Sequence, residues 1–211
     1  MKYNPEIHHR RSIRLKNYDY SKRGLYFITI CTKDQLSLFG NVVGAGSKPA
    51  LPNDMPIQND KLSSKRAGLE PAPTEFALAT VKMEINDWGR IVQNTWFDLV
   101  NHIDNIKLHE FIVMPNHLHG IIEIIDNMRA GSDPAPTRKT KSLSEIVRQL
   151  KTFSARRVNK ERNMPGVPLW QRNYYEHIIR DEESYHKIAD YIINNPMRWK
   201  EDKYYNGHFA Q

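Results

Sequence analysis

The chain is poor in cysteine: Cys31 is the only one among 211 residues. That excludes an internal disulfide framework and a thiolate zinc site, and it fits a reducing compartment. No apolar run approaches the roughly 18 residues needed to span a bilayer, so no membrane partner is expected. The first six residues, Met1 to Glu6, lack the apolar stretch of a secretory signal, and a cytoplasmic location is expected. What remains is an ordinary globular composition, 39% hydrophobic and 26% charged, with 10% aromatics. Such a chain can bury a core.

The net charge is +7, and its placement is more informative than its sum. Residues 1–23 hold seven Lys/Arg against two acids, and residues 138–163 hold nine against two. The other 162 residues sum to −5, so the basicity is concentrated rather than spread as a solubilising coat. In the first block Arg10, Arg11, Arg14 and Lys16 lie just before Tyr18 and Tyr20, a mixture that suits a phosphate backbone with stacked bases. The same block also reads as a solvated tail. The second block, with Lys151, reads as one basic helix face, which is often mere solvation. Two such blocks in one small chain favour a nucleic-acid partner.

Seven of the twelve prolines fall in residues 41–75 and 126–139, which are rich in Gly, Ser, Asn and Asp and read as loop insertions. A short Ala-Gly-x-x-Pro-Ala-like phrase recurs in them at irregular spacing, so they form no solenoid. Without them the body is 162 residues, one ordinary domain spanning 1–211.

The body alternates strand and helix patterns. Residues 25–32 are β-branched and aromatic, a central strand, and 87–102 carry helical apolar spacing. Strands are expected at 107–114 and 117–125, joined by the tight turn Pro115-Asn116. A helix begins at Ser142, with Glu145 completing a capping box, and its stripe is Ile146, Leu150 and Phe153. Residues 174–180 suggest a fourth strand. A last helix runs from Asp181 to about Asn195 and stops near Pro196. The order β-α-β-β-α-β is the ferredoxin-like α+β pattern, here with an added C-terminal helix. That fold hosts many activities, so function has to come from a site.

His117-Leu118-His119 is the sharpest feature. On a strand both imidazoles face one side and form half of a metal site, or else a pair of hydrogen-bonded histidines. On the last helix Tyr191 and Asn195 stand four apart, on one face. An amide carbonyl suits a hard divalent ion, and a deprotonated phenol is a nucleophile. The alternative is an ordinary helical aromatic beside a helix stop.

Four segments taken together, 10–15 (RRSIRL), 114–120 (MPNHLHG), 170–180 (WQRNYYEHIIR) and 191–196 (YIINNP), resemble the REP-associated tyrosine transposases of the single-tyrosine HUH superfamily. The match runs from about residue 8 to 200, interrupted by the two insertions. The resemblance implies that His117, His119 and Asn195 hold Mg²⁺ or Mn²⁺, that Tyr191 is the nucleophile, and that the helix carrying it is the added C-terminal one. It further implies cleavage and rejoining of single-stranded DNA beside a hairpin through a 5′-phosphotyrosine, in transposition or recombination, by a monomer or homodimer. Arg172, His177 and Arg180 would contact phosphate; Trp170 reads as core. Two other functions compete: a replication or transfer nickase with the same chemistry, and a non-catalytic single-strand binder derived from a transposase.

Overall fold

The computed structural model describes residues 18–44, 81–126 and 140–205. Nine regular elements follow in chain order: β1 (Gly24–Cys31), β2 (Gly40–Val43), β3 (Lys82–Ile85), α1 (Asp87–Phe97), β4 (Ile106–Met114), β5 (His117–Ile124), α2 (Leu143–Glu161), β6 (Tyr175–Ile179) and α3 (Glu182–Ile193). Short 3-10 turns at Lys33–Gln35, Asp98–Asn101 and Asn195–Glu201 complete them. No described helix is long and apolar enough to cross a membrane.

The main sheet has the order β4-β5-β1-β6 with every neighbouring pair antiparallel, so β1 and β5 are its inner strands. This is the ferredoxin-like arrangement of an α+β fold, with α3 added after the last strand, as the pattern of apolar residues predicts. The second sheet, β2 paired with β3, has no counterpart among the strands expected from the sequence. Asn41–Val43 of β2 fall at the start of the segment read as loop; four residues beside a proline-rich run carry too little periodicity to declare a strand. Residues 45–75 of that segment, and residues 127–139 of the second, lie outside the described residues.

Local chemistry sets the helix ends. Asn86 accepts from Gly89 N at 2.9 Å and Asp181 from Ser184 N at 2.7 Å, each satisfying a first-turn donor. Ser142 and Glu145 form the expected capping box. The α-helical run that begins at Asp87 ends at Phe97 and tightens into a 3-10 turn, short of the predicted His102. In α2 the buried stripe is Leu143, Ile146, Val147, Leu150 and Val158, whereas Phe153 lies at its margin.

The strands divide their side chains between two faces. Tyr26, Ile28 and Ile30 of β1 join Leu118 and Ile122 of β5 beneath α1 and α2 in the larger core. Phe27 and Ile121 point the other way and pack with Ile179 and Ile192 under α3. Gly120 permits the close approach of Trp96: a Cβ there would lie 2.4 Å from the Trp96 ring. That ring stacks on Phe111 at a 4.4 Å centroid distance. Because side chains alternate along β5, seating Leu118 and Gly120 on the helix-covered face forces His117 and His119 onto the α3 face.

Candidate metal and tyrosine site

The turn before β5 is held from several sides. Asn116 O accepts from Thr32 N at 2.9 Å and from Thr32 Oγ1 at 3.0 Å, and Pro115 O accepts from Leu38 N and Phe39 N. The Asn116 amide is fully buried and uses both its functions. Nδ2 donates to Gln35 O at 3.1 Å and to Tyr204 O at 2.8 Å, which leaves Oδ1 facing His117 Nδ1 at 2.8 Å. An acceptor there requires the proton of neutral His117 to sit on Nδ1, so its Nε2 presents a bare lone pair.

His119 is arranged in parallel. Its Nδ1 lies 2.8 Å from Thr29 Oγ1, and its Nε2 lies 3.0 Å from Nε2 of His117. Both rings are buried, and Phe27 stacks on His119 at 5.4 Å. Burial holds both histidines neutral: it lowers the His117 pKa to about 3, helped by the charge of Lys203, and brings His119 well below the ordinary value. Neutral imidazole is the ligating form.

The remaining groups come from α3 and the 3-10 turn after it. Tyr191 OH lies 3.3 Å from His119 Nε2 and donates to Asp202 Oδ2 at 3.3 Å. Asn195 Nδ2 donates to the same Asp202 oxygen at 3.2 Å. Asn195 Oδ1 is buried with no hydrogen-bond partner among the described residues. Burial, then the Asp202 charge and hydrogen bond, push the Tyr191 pKa up to about 12. His117, His119 and Asp202 each offer a ligand atom within 4.8 Å of one another, a group that can hold a metal ion. Two facing imidazole nitrogens, a carboxylate and an orphaned amide oxygen make a mixed nitrogen and oxygen donor set that fits a small divalent cation.

The structure thus brings together all four residues singled out at the centre: His117, His119, Tyr191 and Asn195. Sequence reasoning missed Asp202 and Asn116. Asp202 follows the helix stop by several residues and belongs to no periodic pattern. Asn116 read only as a turn residue, although its adjacency to His117 was visible. Cys31 is a buried strand residue as expected; burial pushes its thiol up to about 11.

The outlying basic residues fare differently. Arg10, Arg11, Arg14 and Lys16 lie outside the described residues. Arg172, His177 and Arg180 are exposed on or beside edge strand β6. Lys151, expected as part of a nucleic-acid-binding basic helix face, donates its half-buried ammonium to the carbonyls of Gln171 and Arg172 and ties α2 to the approach of β6. Trp170 is core, donating to Ser154 Oγ at 2.9 Å.

No family model matches the chain. An uncharacterized protein of Haemophilus influenzae is 37% identical over 213 residues, covering 97% of both chains. A proposed REP-associated tyrosine transposase of the same organism is 30% identical over 87 residues, 41% of this chain and 47% of that one. Among solved structures, a REP-associated tyrosine transposase bound to a REP hairpin is 14% identical, with a TM-score of 0.48 over 91% of this chain and 77% of that chain. A proposed transposase from Deinococcus radiodurans is 15% identical, with a TM-score of 0.36 over 87% of this chain and 97% of that chain. The chain therefore belongs to the same family as the Haemophilus influenzae protein it matches over 97% of both lengths, and it is similar to the REP-associated tyrosine transposases, as its motifs indicate.

Proposed function

We propose that this chain is a tyrosine transposase that cleaves and rejoins single-stranded DNA beside hairpins. The observation that carries this reading is the convergence of Tyr191 with His119 and Asp202 at 3.3 Å each, beside a paired-histidine site. The sequence likeness to a relative described as a transposase supports it.

His117, His119 and Asn195 Oδ1 would hold Mg²⁺ or Mn²⁺, with Asp202 beside them. When bound, the cation supplies charge that polarises the scissile phosphate and offsets the developing negative charge. The Tyr191 hydroxyl oxygen attacks phosphorus, forming an O–P bond as the bond to the 3′ oxygen breaks. Asp202 Oδ2, already the acceptor of the phenol hydrogen, takes the proton, and the departing 3′ oxygen gains one from solvent. The product is a 5′-phosphotyrosine with a free 3′-OH. A 3′-OH can reverse the step and join strands, because the phosphodiester energy is kept in the covalent link. The whole chain acts as one domain, with the proline-rich segments as insertions.

The test is incubation of the protein with labelled hairpin-bearing single-stranded DNA and Mn²⁺, followed by a denaturing gel. A covalent adduct from the wild type, absent from Tyr191→Phe, is the expected result. No wild-type adduct, or one undiminished in Tyr191→Phe, rejects the assignment and leaves a binding protein.

A further inference from the structure

One exposed aromatic beside the site has no part in the chemistry above. Tyr175 opens β6, the edge strand, and is 41% exposed. Its register partner on β1 is Thr29, whose own partner on β5 is His119. The three side chains therefore form one row across the α3 face of the sheet, with Tyr175 at its open end. Its ring packs edge-on against Phe27 at 6.2 Å, and Phe27 stacks on His119. The Lys203 ammonium lies 5.4 Å from the Tyr175 ring centroid and 4.8 Å from that of Tyr204. Lys203 is exposed and directly follows Asp202.

An exposed tyrosine normally forfeits part of the hydrophobic gain that packing would supply. Here the ring is braced on its inner edge and capped by a cation, at the exposed end of the row that contains His119. Aromatic rings with an adjacent cation are the elements that hold single strands, since every base has a face to stack and every linkage a charge. Further along the same strand His177 is exposed, and Arg180 follows just past its end, which extends the path away from the site.

We propose that Tyr175 is a stacking platform for one base of the single strand next to the scissile phosphate, with Lys203 gripping the adjoining backbone phosphate. The proposal rests on the single-strand reading above. It makes Tyr175 a positioning residue: it fixes which linkage reaches Tyr191 and takes no part in bond making.

The test uses the Tyr191→Phe protein, which cannot cleave, with a DNA hairpin carrying a ten-nucleotide thymidine extension on each side. A single 2-aminopurine replaces each extension position in turn, and its fluorescence reports stacking. One position is expected to be quenched on binding. That quench should vanish in Tyr175→Ala, with affinity about tenfold weaker, and persist in Tyr175→Phe. Lys203→Met should reduce the slope of log affinity against log salt by about 0.7, the loss of one phosphate contact. Quenching that survives in Tyr175→Ala, or an unchanged salt slope in Lys203→Met, overturns the platform while leaving the transposase reading intact. Failure of the parent protein to bind the hairpin overturns both.

Discussion

The imidazoles of His117 and His119 meet Nε2 to Nε2 at 3.0 Å, each with its Nδ1 already engaged elsewhere. With the His117 proton on Nδ1, its Nε2 lone pair faces His119 and can be given to a cation. The residue that enforces this tautomer is Asn116. Asn116→Ala should therefore weaken Mn²⁺ binding by about 10- to 100-fold in calorimetric titration. It should also lower unfolding stability by roughly 1–3 kcal/mol, because the half-buried Gln35 and Tyr204 carbonyls lose this donor. Unaltered Mn²⁺ affinity would show that the His117 tautomer is set by something else.

Asp202 stands between two roles, ligand and proton acceptor. As acceptor for Tyr191, Asp202→Asn should slow covalent adduct formation by about 100-fold, in the range of a lost general base, while changing Mn²⁺ affinity by less than tenfold. Asn195→Ala should show the opposite balance, with the larger loss in Mn²⁺ affinity. A reversed split would make Asp202 the third ligand.

The buried histidines tie stability to pH. Both have pKa values lowered in the folded protein, His117 to about 3, so the unfolded chain binds protons that the folded one refuses. Their contribution to stability is fully present above the ordinary histidine pKa of about 6.5 and is lost as pH falls from there toward 3. Each can lower stability by up to about 1.4 kcal/mol per pH unit in that window. Urea unfolding of metal-free protein should accordingly show a falling midpoint between pH 7.5 and 5.5. His117→Gln should remove part of the slope, and a flat profile in the wild type would contradict the neutral buried pair.

Gly120 carries a prediction separate from the chemistry. A methyl group added there meets the Trp96 ring at 2.4 Å, and that ring is fully buried against Phe111. Gly120→Ala should cost roughly 1–3 kcal/mol from overpacking, seen as a lower midpoint in thermal unfolding. Mn²⁺ affinity per folded molecule should stay within a few-fold, since His117 and His119 project from the opposite face.

Most of the fold was legible because its strands and helices are long enough to show a period. β1 and β5 are near-continuous apolar runs, α1 and α2 carry helical stripes, and Ser142, Asp181 and Pro196 mark ends. The β2–β3 pair escaped notice because each strand has four residues and the segment between them separates the partners in sequence. At the site, spacing placed His117 with His119 on one strand face and Tyr191 with Asn195 on one helix face, while their roles came only from the resemblance of the motifs. Asp202 was not legible, because a 3-10 turn delivers it and no two- or four-residue rule extends through that geometry. The carbonyl contacts of Lys151 were not legible, because charge in a sequence does not reveal whether an ammonium meets solvent or a neighbouring backbone.

The break at Pro196 has a further consequence. Tyr191, Asn195, Asp202 and Lys203 all lie on one continuous run, α3 and the turn that follows it, while the two histidines belong to an inner strand of the sheet. Undocking that run would remove the Tyr191 hydroxyl, the Asn195 amide oxygen and the Asp202 carboxylate in one event and leave the four-stranded sheet and its larger core whole. The candidate site is thus divided between an inner strand and a run packed over it through the smaller core, so its assembly can be governed by local equilibrium.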